Sequence, residues 1–123
     1  MDAPDNQHAA PVDLAHLRRF TCGDTALEQE ILSLFIGHSP QCLAALESAS
    51  SPAEWIAAAH SLKGSARAVG ATTVAALAAA AELAHPADLA QRERQLAALR
   101  LALEAVRNFV SALDTSVQQS AAS

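Results

Sequence analysis

The run Ala59-His60-Ser61-Leu62-Lys63-Gly64 places an imidazole, a cation and a position without a side chain within little more than one helical turn. A free histidine titrates near about pH 6.5, so an exposed imidazole is largely neutral, and therefore nucleophilic, at neutral pH. Lys63 follows three residues later, on the same side of a helix. The imidazole is thus a candidate nucleophile with positive charge along one edge of its surroundings.

On a helix advancing about 100° per residue the segment separates into two faces. Trp55, Ala59, Leu62, Ala66 and Val69 share one side, with Ile56 at its flank, and this stripe must face a core. His60 falls on the opposite side. Ile56, Ala57, Lys63 and Gly64 lie one turn from it, and Ala53, Arg67 and Ala68 extend the same outer surface. Gly64 is roughly 1 kcal/mol worse than alanine inside a helix, and no kink is called for there, so its use is to leave room for an approaching partner. Ala57, Arg67 and Ala68 then offer a smooth docking surface with a basic edge. Ser65 points elsewhere and is assigned to local hydrogen bonding or helix packing. In an arbitrary helix the same residues would describe a solvated histidine and a solvated basic flank.

The stretch from Ala59 to Ala71, AHSLKGSARAVGA, closely resembles the signature of histidine phosphotransfer (HPt) domains: alanine, histidine, a small residue, Leu-Lys-Gly-Ser, a small residue, then a Gly-Ala pair. A weaker resemblance, of helices and apolar positions, extends over about residues 12 to 113. It implies an all-α, antiparallel four-helix bundle with a short additional N-terminal helix, and His60 as phosphoacceptor. Lys63 then gives electrostatic assistance, Gly64 gives access, and receiver domains of response regulators are the partners, with a hybrid sensor histidine kinase upstream. The chain has no G-x-x-x-x-G-K-[ST] loop, no kinase-like glycine loop and no clustered carboxylates for magnesium. It is thus expected to be a relay intermediate without a kinase ATP site and to bind no cofactor, with Mg2+ and the aspartate supplied by the receiver. Two other readings are a bundle that docks on receivers without turning phosphate over, and a domain excised from a hybrid sensor kinase. Met1 and polar tails at both ends lead instead to the expectation of a free-standing protein.

The elements that must position His60 follow from caps and periodicity. A short helix is predicted from Val12 to Phe20, closed by Gly23 and lying as a lid on the bundle. The next opens on a capping box, Thr25 to Glu28, buries Leu27, Ile31, Leu34 and Phe35, kinks at Pro40 and resumes with Leu43 and Leu46. The histidine helix starts at Ser51-Pro52 with Glu54 completing a second capping box, and ends at Gly70. A fourth spans Thr73 to Ala84, with Val74, Leu77 and Ala81 inward, and stops at His85-Pro86. The last begins near Asp88. Its Leu96, Leu99, Leu103, Val106, Val110 and Leu113 form a narrow seam suited to near-antiparallel packing. One domain, 12–114, is expected between disordered tails at 1–11 and 115–123.

Of the 123 residues 51% are hydrophobic, enough for one moderate core. A net charge of −5 and 3% aromatic residues leave neither a cationic field for nucleic-acid phosphates nor platforms for bases. No signal peptide and no span of about 20 apolar residues is present, so a cytoplasmic monomer is expected, with Cys22 and Cys42 reduced. His8, His16, His38 and His85 show no i, i+4 pairing, and no metal site is expected. His85 is expected to assist a helix C-terminus.

Overall fold

A helix leaves its first amides without partners, and short polar side chains answer this at four places along the chain. Asp13 accepts from the amide of His16 (3.2 Å), Asp24 from Leu27 (3.1 Å), Ser51 from Glu54 (3.2 Å) and Asp88 from Gln91 (2.8 Å). In the computed structural model, which describes residues 10–83, 86 and 88–122, with side chains through 113, the helices are α1 (Leu14–Thr21), α2 (Thr25–Ser48), α3 (Pro52–Val69), α4 (Thr72–Leu83) and α5 (Leu89–Ala122).

The long helices α2 to α5 form an antiparallel four-helix bundle, and α1 is the short additional helix, packed across α2 and α3. In the bundle α3 lies between α2 and α4, α5 closes the square against α2 and α4, and α3 and α5 sit diagonally. The alternation of direction shows in the contacts. Trp55 in the first turn of α3 donates its indole N–H to the Ala81 carbonyl near the end of α4 (2.9 Å). Arg92 in the first turn of α5 donates to the carbonyls of Leu46, Glu47 and Ala49 (2.9, 2.8 and 2.9 Å), where α2 ends, and lies 5.3 Å from the Trp55 ring centroid. A cation there suits both the free carbonyls and the negative end of the α2 dipole.

The interior is filled from all five helices. Leu17, Leu32, Leu46, Trp55, Leu62, Leu96, Leu99, Val74 and Val106 are almost wholly buried, and each leucine contributes about 1.5–3 kcal/mol by leaving water. On α3 the expected stripe of Trp55, Ala59, Leu62, Ala66 and Val69 is buried throughout; on α5 Leu96, Leu99, Leu103, Val106 and Val110 are buried and Leu113 packs at the edge.

The helix α2 departs from its predicted form in two ways. Asp24, not Thr25, caps it, and Glu28 turns inward, where its carboxylate accepts from the Thr21 hydroxyl (2.9 Å) and Arg18 Nε (3.3 Å). Its buried stripe is Glu28, Leu32, Phe35, Ser39, Cys42 and Leu46, whereas Leu34 and Leu27 are exposed, at 67% and 39%, and Ile31 is half-buried. Pro40 lies inside this helix, which resumes beyond it, and sits on an exposed position where water can serve the carbonyl that loses its donor.

Smaller differences concern ends. The α1 helix starts after Asp13 and finishes through Cys22 in the left-handed region (φ 54), with Gly23 following (φ 80). Glu54 reaches past its cap residue to the Ser50 amide (2.8 Å). The α4 helix opens at Thr72, and Leu77 is half-buried. The α5 helix runs past 114 to Ala122, since Ala, Gln and Ser tolerate a helix even where the apolar period stops. Residues 1–9, 84, 85, 87 and 123 lie outside the described residues, so the expected end of the fourth helix at Ala84 and the reading of His85 as a C-terminal aid do too. Cys22 and Cys42 are free thiols, the first exposed and the second buried. No described helix is long and apolar enough to cross a membrane.

Candidate functional site

The site is built on α3 and completed by α4. Ser51 and Pro52 start α3, and Gly70 stops it with φ 81, its amide directed to the carbonyls of Ala66 and Arg67. A side chain at Gly70 would be strained by that φ, and its Cβ would stand 2.8 Å from the Asp13 carbonyl oxygen. The Asp13 amide in turn donates to the Gly70 carbonyl (2.8 Å), which ties α1 to the turn. The turn through Gly70 and Ala71 is short, so α4 runs straight back along α3 and brings its last turn beside the middle of the histidine helix.

There Glu82 meets both chemically active side chains of α3. Its Oε2 lies 2.8 Å from His60 Nδ1 and its Oε1 2.5 Å from Lys63 Nζ. The His60 side chain remains 68% exposed, while those of Lys63 and Glu82 are 18% and 20% exposed. Hydrogen bonds from the Lys63 ammonium, and then from His60, hold the Glu82 carboxyl below the usual carboxylate range. An ionised carboxylate only accepts, so Nδ1 carries the hydrogen, and in the neutral ring the lone pair is that of Nε2. The ring is thereby fixed in one tautomer with its basic nitrogen away from Glu82.

Around His60 the outer surface of α3 is as the periodicity predicts: Ala57, Gly64, Arg67 and Ala68 are exposed. No atom outside the local helix comes within 4 Å of where a Cβ at Gly64 would stand, so internal packing does not demand a glycine there. Lys63 is the exception to the picture of an open basic edge, because Glu82 draws it against the protein. The carbonyl of Arg67 accepts from His16 Nε2 (3.1 Å). On the other flank Ser61 Oγ approaches Cys42 Sγ on α2 (3.7 Å), which also lies 3.3 Å from His38 Nε2. Ser65 is half-buried at the α2–α3 groove.

Glu82 escapes sequence reasoning because it is far along the chain from His60. One signal exists: it is the single charged residue of TTVAALAAAAEL, the whole of α4, and a lone carboxylate in an apolar helix needs a partner. Among the described residues no three His, Cys, Asp or Glu side chains gather as a metal site.

A family model described as Hpt domain matches residues 30–109, from early α2 to late α5, well over half of the chain. Searches of curated proteins and of solved structures give no significant match. Hpt domains are phosphotransfer modules of phosphorelays that interact with receiver domains and have no kinase activity of their own. With the family's bundle formed by α2 to α5 and an exposed histidine on its second long helix, this chain belongs to the Hpt domain family.

Proposed function

We propose that the chain relays a phosphoryl group through His60 Nε2 between aspartates of receiver domains. One observation carries this reading: an exposed imidazole has its Nδ1 pinned 2.8 Å from Glu82, which leaves the lone pair of Nε2 for attack. In the forward step that lone pair forms a bond to the phosphorus of an aspartyl phosphate, and the bond from phosphorus to the carboxylate oxygen breaks. No proton has to leave Nε2. Attack puts positive charge on the ring, and the Glu82 carboxylate meets that charge through Nδ1–H. Transfer to a second aspartate is the reverse sequence.

Lys63, one turn along, is the nearest cation for the phosphoryl oxygens, and Gly64 leaves the receiver room to approach, with Ala57, Arg67 and Ala68 as the surface it covers. The aspartate and a divalent cation, Mg2+ in this reading, belong to the receiver, and a hybrid sensor kinase supplies the phosphate. The chain acts as a cytoplasmic monomer. Incubation with receiver domains charged with labelled phosphate tests the proposal. The chain should acquire acid-labile, base-stable label within seconds to minutes, and His60→Gln should lose the uptake with an unchanged melting temperature, since the side chain lies outside the core. Uptake retained by His60→Gln would refute it.

A further inference from the structure

Two side chains of α2 that are both metal-ligating types meet away from the phosphotransfer site. His38 and Cys42 stand four residues apart on one edge of the helix, and His38 Nε2 lies 3.3 Å from Cys42 Sγ. Their places in the fold differ. Cys42 is 5% exposed and belongs to the core, whereas His38 is exposed and its ring reaches the thiol from the solvent side. A buried thiol packs as a small hydrophobe and needs no partner, and an exposed imidazole gains more from water than from a weak S–H donor. Core packing therefore asks for the cysteine but not for the histidine held against it.

We infer that His38 Nε2 and Cys42 Sγ form a binding site for a zinc-class metal ion, with two coordination positions left to water. Thiolate and imidazole are donors that suit zinc, while magnesium and calcium take oxygen. The spacing fits. Bonds of about 2.0–2.1 Å to nitrogen and about 2.3 Å to sulfur, at a tetrahedral angle, put the two donors about 3.5 Å apart. The observed 3.3 Å differs from this by no more than a small rotation of an exposed ring. On binding, the S–H bond breaks, a bond from sulfur to the metal forms and the proton passes to solvent; Nε2 gives its lone pair while the ring hydrogen stays on Nδ1. Ser61 Oγ, 3.7 Å from Sγ across the α2–α3 contact, then donates its hydrogen to the thiolate and holds it in place. Among the described residues no third His, Cys, Asp or Glu joins the pair, which is why two positions stay open. The site does not depend on the phosphotransfer reading, in which His38 and Cys42 take no part.

The test titrates the full chain, its thiols reduced, with Co2+ as a spectroscopic stand-in and then with Zn2+. Wild type should develop the near-ultraviolet absorption of a cobalt–thiolate bond at one ion per chain, and Zn2+ should displace the cobalt, bleach the band and release about one proton per ion. His38→Ala should weaken cobalt binding about 10-fold or more, and Cys42→Ala should abolish the band. Both variants should keep wild-type helicity without metal, since one position is exposed and the other loses only a sulfur atom. Cys22→Ser and His60→Gln should bind as wild type does. No band in wild type at millimolar cobalt, or undiminished affinity in His38→Ala, would overturn the pair as a site. Loss of the band in Cys22→Ser would assign the metal to the exposed thiol, and loss in His60→Gln would assign it to the His60–Glu82 pair; either would overturn the proposal.

Discussion

At the scale of single residues the chemistry turns on a carboxylate that holds two cationic or proton-bearing groups at once. Glu82 binds Nδ1–H of His60 and the ammonium of Lys63, so one side chain sets the tautomer of the proposed nucleophile and the place of the charge beside it. Glu82→Gln keeps an acceptor for one of these but loses the charge. Transfer into His60 at saturating receiver should fall about 10-fold, a change of about 1.4 kcal/mol in the barrier. The nitrogen chemical shifts of His60 should also move from a single Nδ1–H form toward a mixture of tautomers, a change that a merely structural role would not produce. Acid should act in the same direction. The Glu82 carboxyl is depressed below 4.5, so its pairing is complete above that pH and is lost as pH falls through the lower folded value. Across the neutral range the pairing is therefore constant. Lys63→Ala should slow single-turnover phosphorylation by about 10-fold while leaving affinity for the unphosphorylated receiver within a few fold, and Lys63→Arg should recover part of the rate.

At the scale of elements, Gly64 within α3 and Gly70 at its C-cap differ in what the fold asks of them. Gly70 is required by φ 81 and by the Asp13 carbonyl that its Cβ would meet at 2.8 Å; Gly70→Ala should destabilise the fold by about 1–3 kcal/mol, read as a lowered urea midpoint. Gly64 lies in an ordinary helical turn with open space beside it. Gly64→Gln should leave that midpoint unchanged or raise it, yet slow transfer from the receiver, because the added side chain stands in the partner's path. The contrast between α3 and α2 also shows what a sequence can disclose. Ser51-Pro52, the stripe from Trp55 to Val69 and Gly70 are all local signals that agree with one another, so α3 and its outward His60 are legible without coordinates. In α2 the apolar residues span two adjacent stripes, and only the placement of α1, α3 and α5 decides which is buried. Glu28 reads as a capping residue until Thr21 and Arg18 are seen to draw its carboxylate inward. Glu82 is illegible for the same reason: its partners are fixed by the short α3–α4 turn, a tertiary consequence of Gly70.

At the scale of the whole molecule, the bundle separates a rigid support from an exposed reacting face. Trp55 bonded to Ala81 and Arg92 bonded across the end of α2 lock the helix ends near the start of α3, while His60 stands exposed in mid-helix beside the Lys63–Glu82 pair. In the proposed relay such a chain positions the nucleophile and leaves the remaining chemistry to the receiver. The central claim, that His60 Nε2 is the atom that carries the phosphoryl group, is open to a direct spectroscopic measurement. Protein labelled with 15N in its histidines is phosphorylated by a charged receiver, and nitrogen–phosphorus coupling is then recorded. The account predicts one phosphorylated ring, that of His60, with phosphorus coupled to Nε2 and hydrogen retained on Nδ1. Coupling to Nδ1 of His60, or to a nitrogen of His16 or His38, would contradict it.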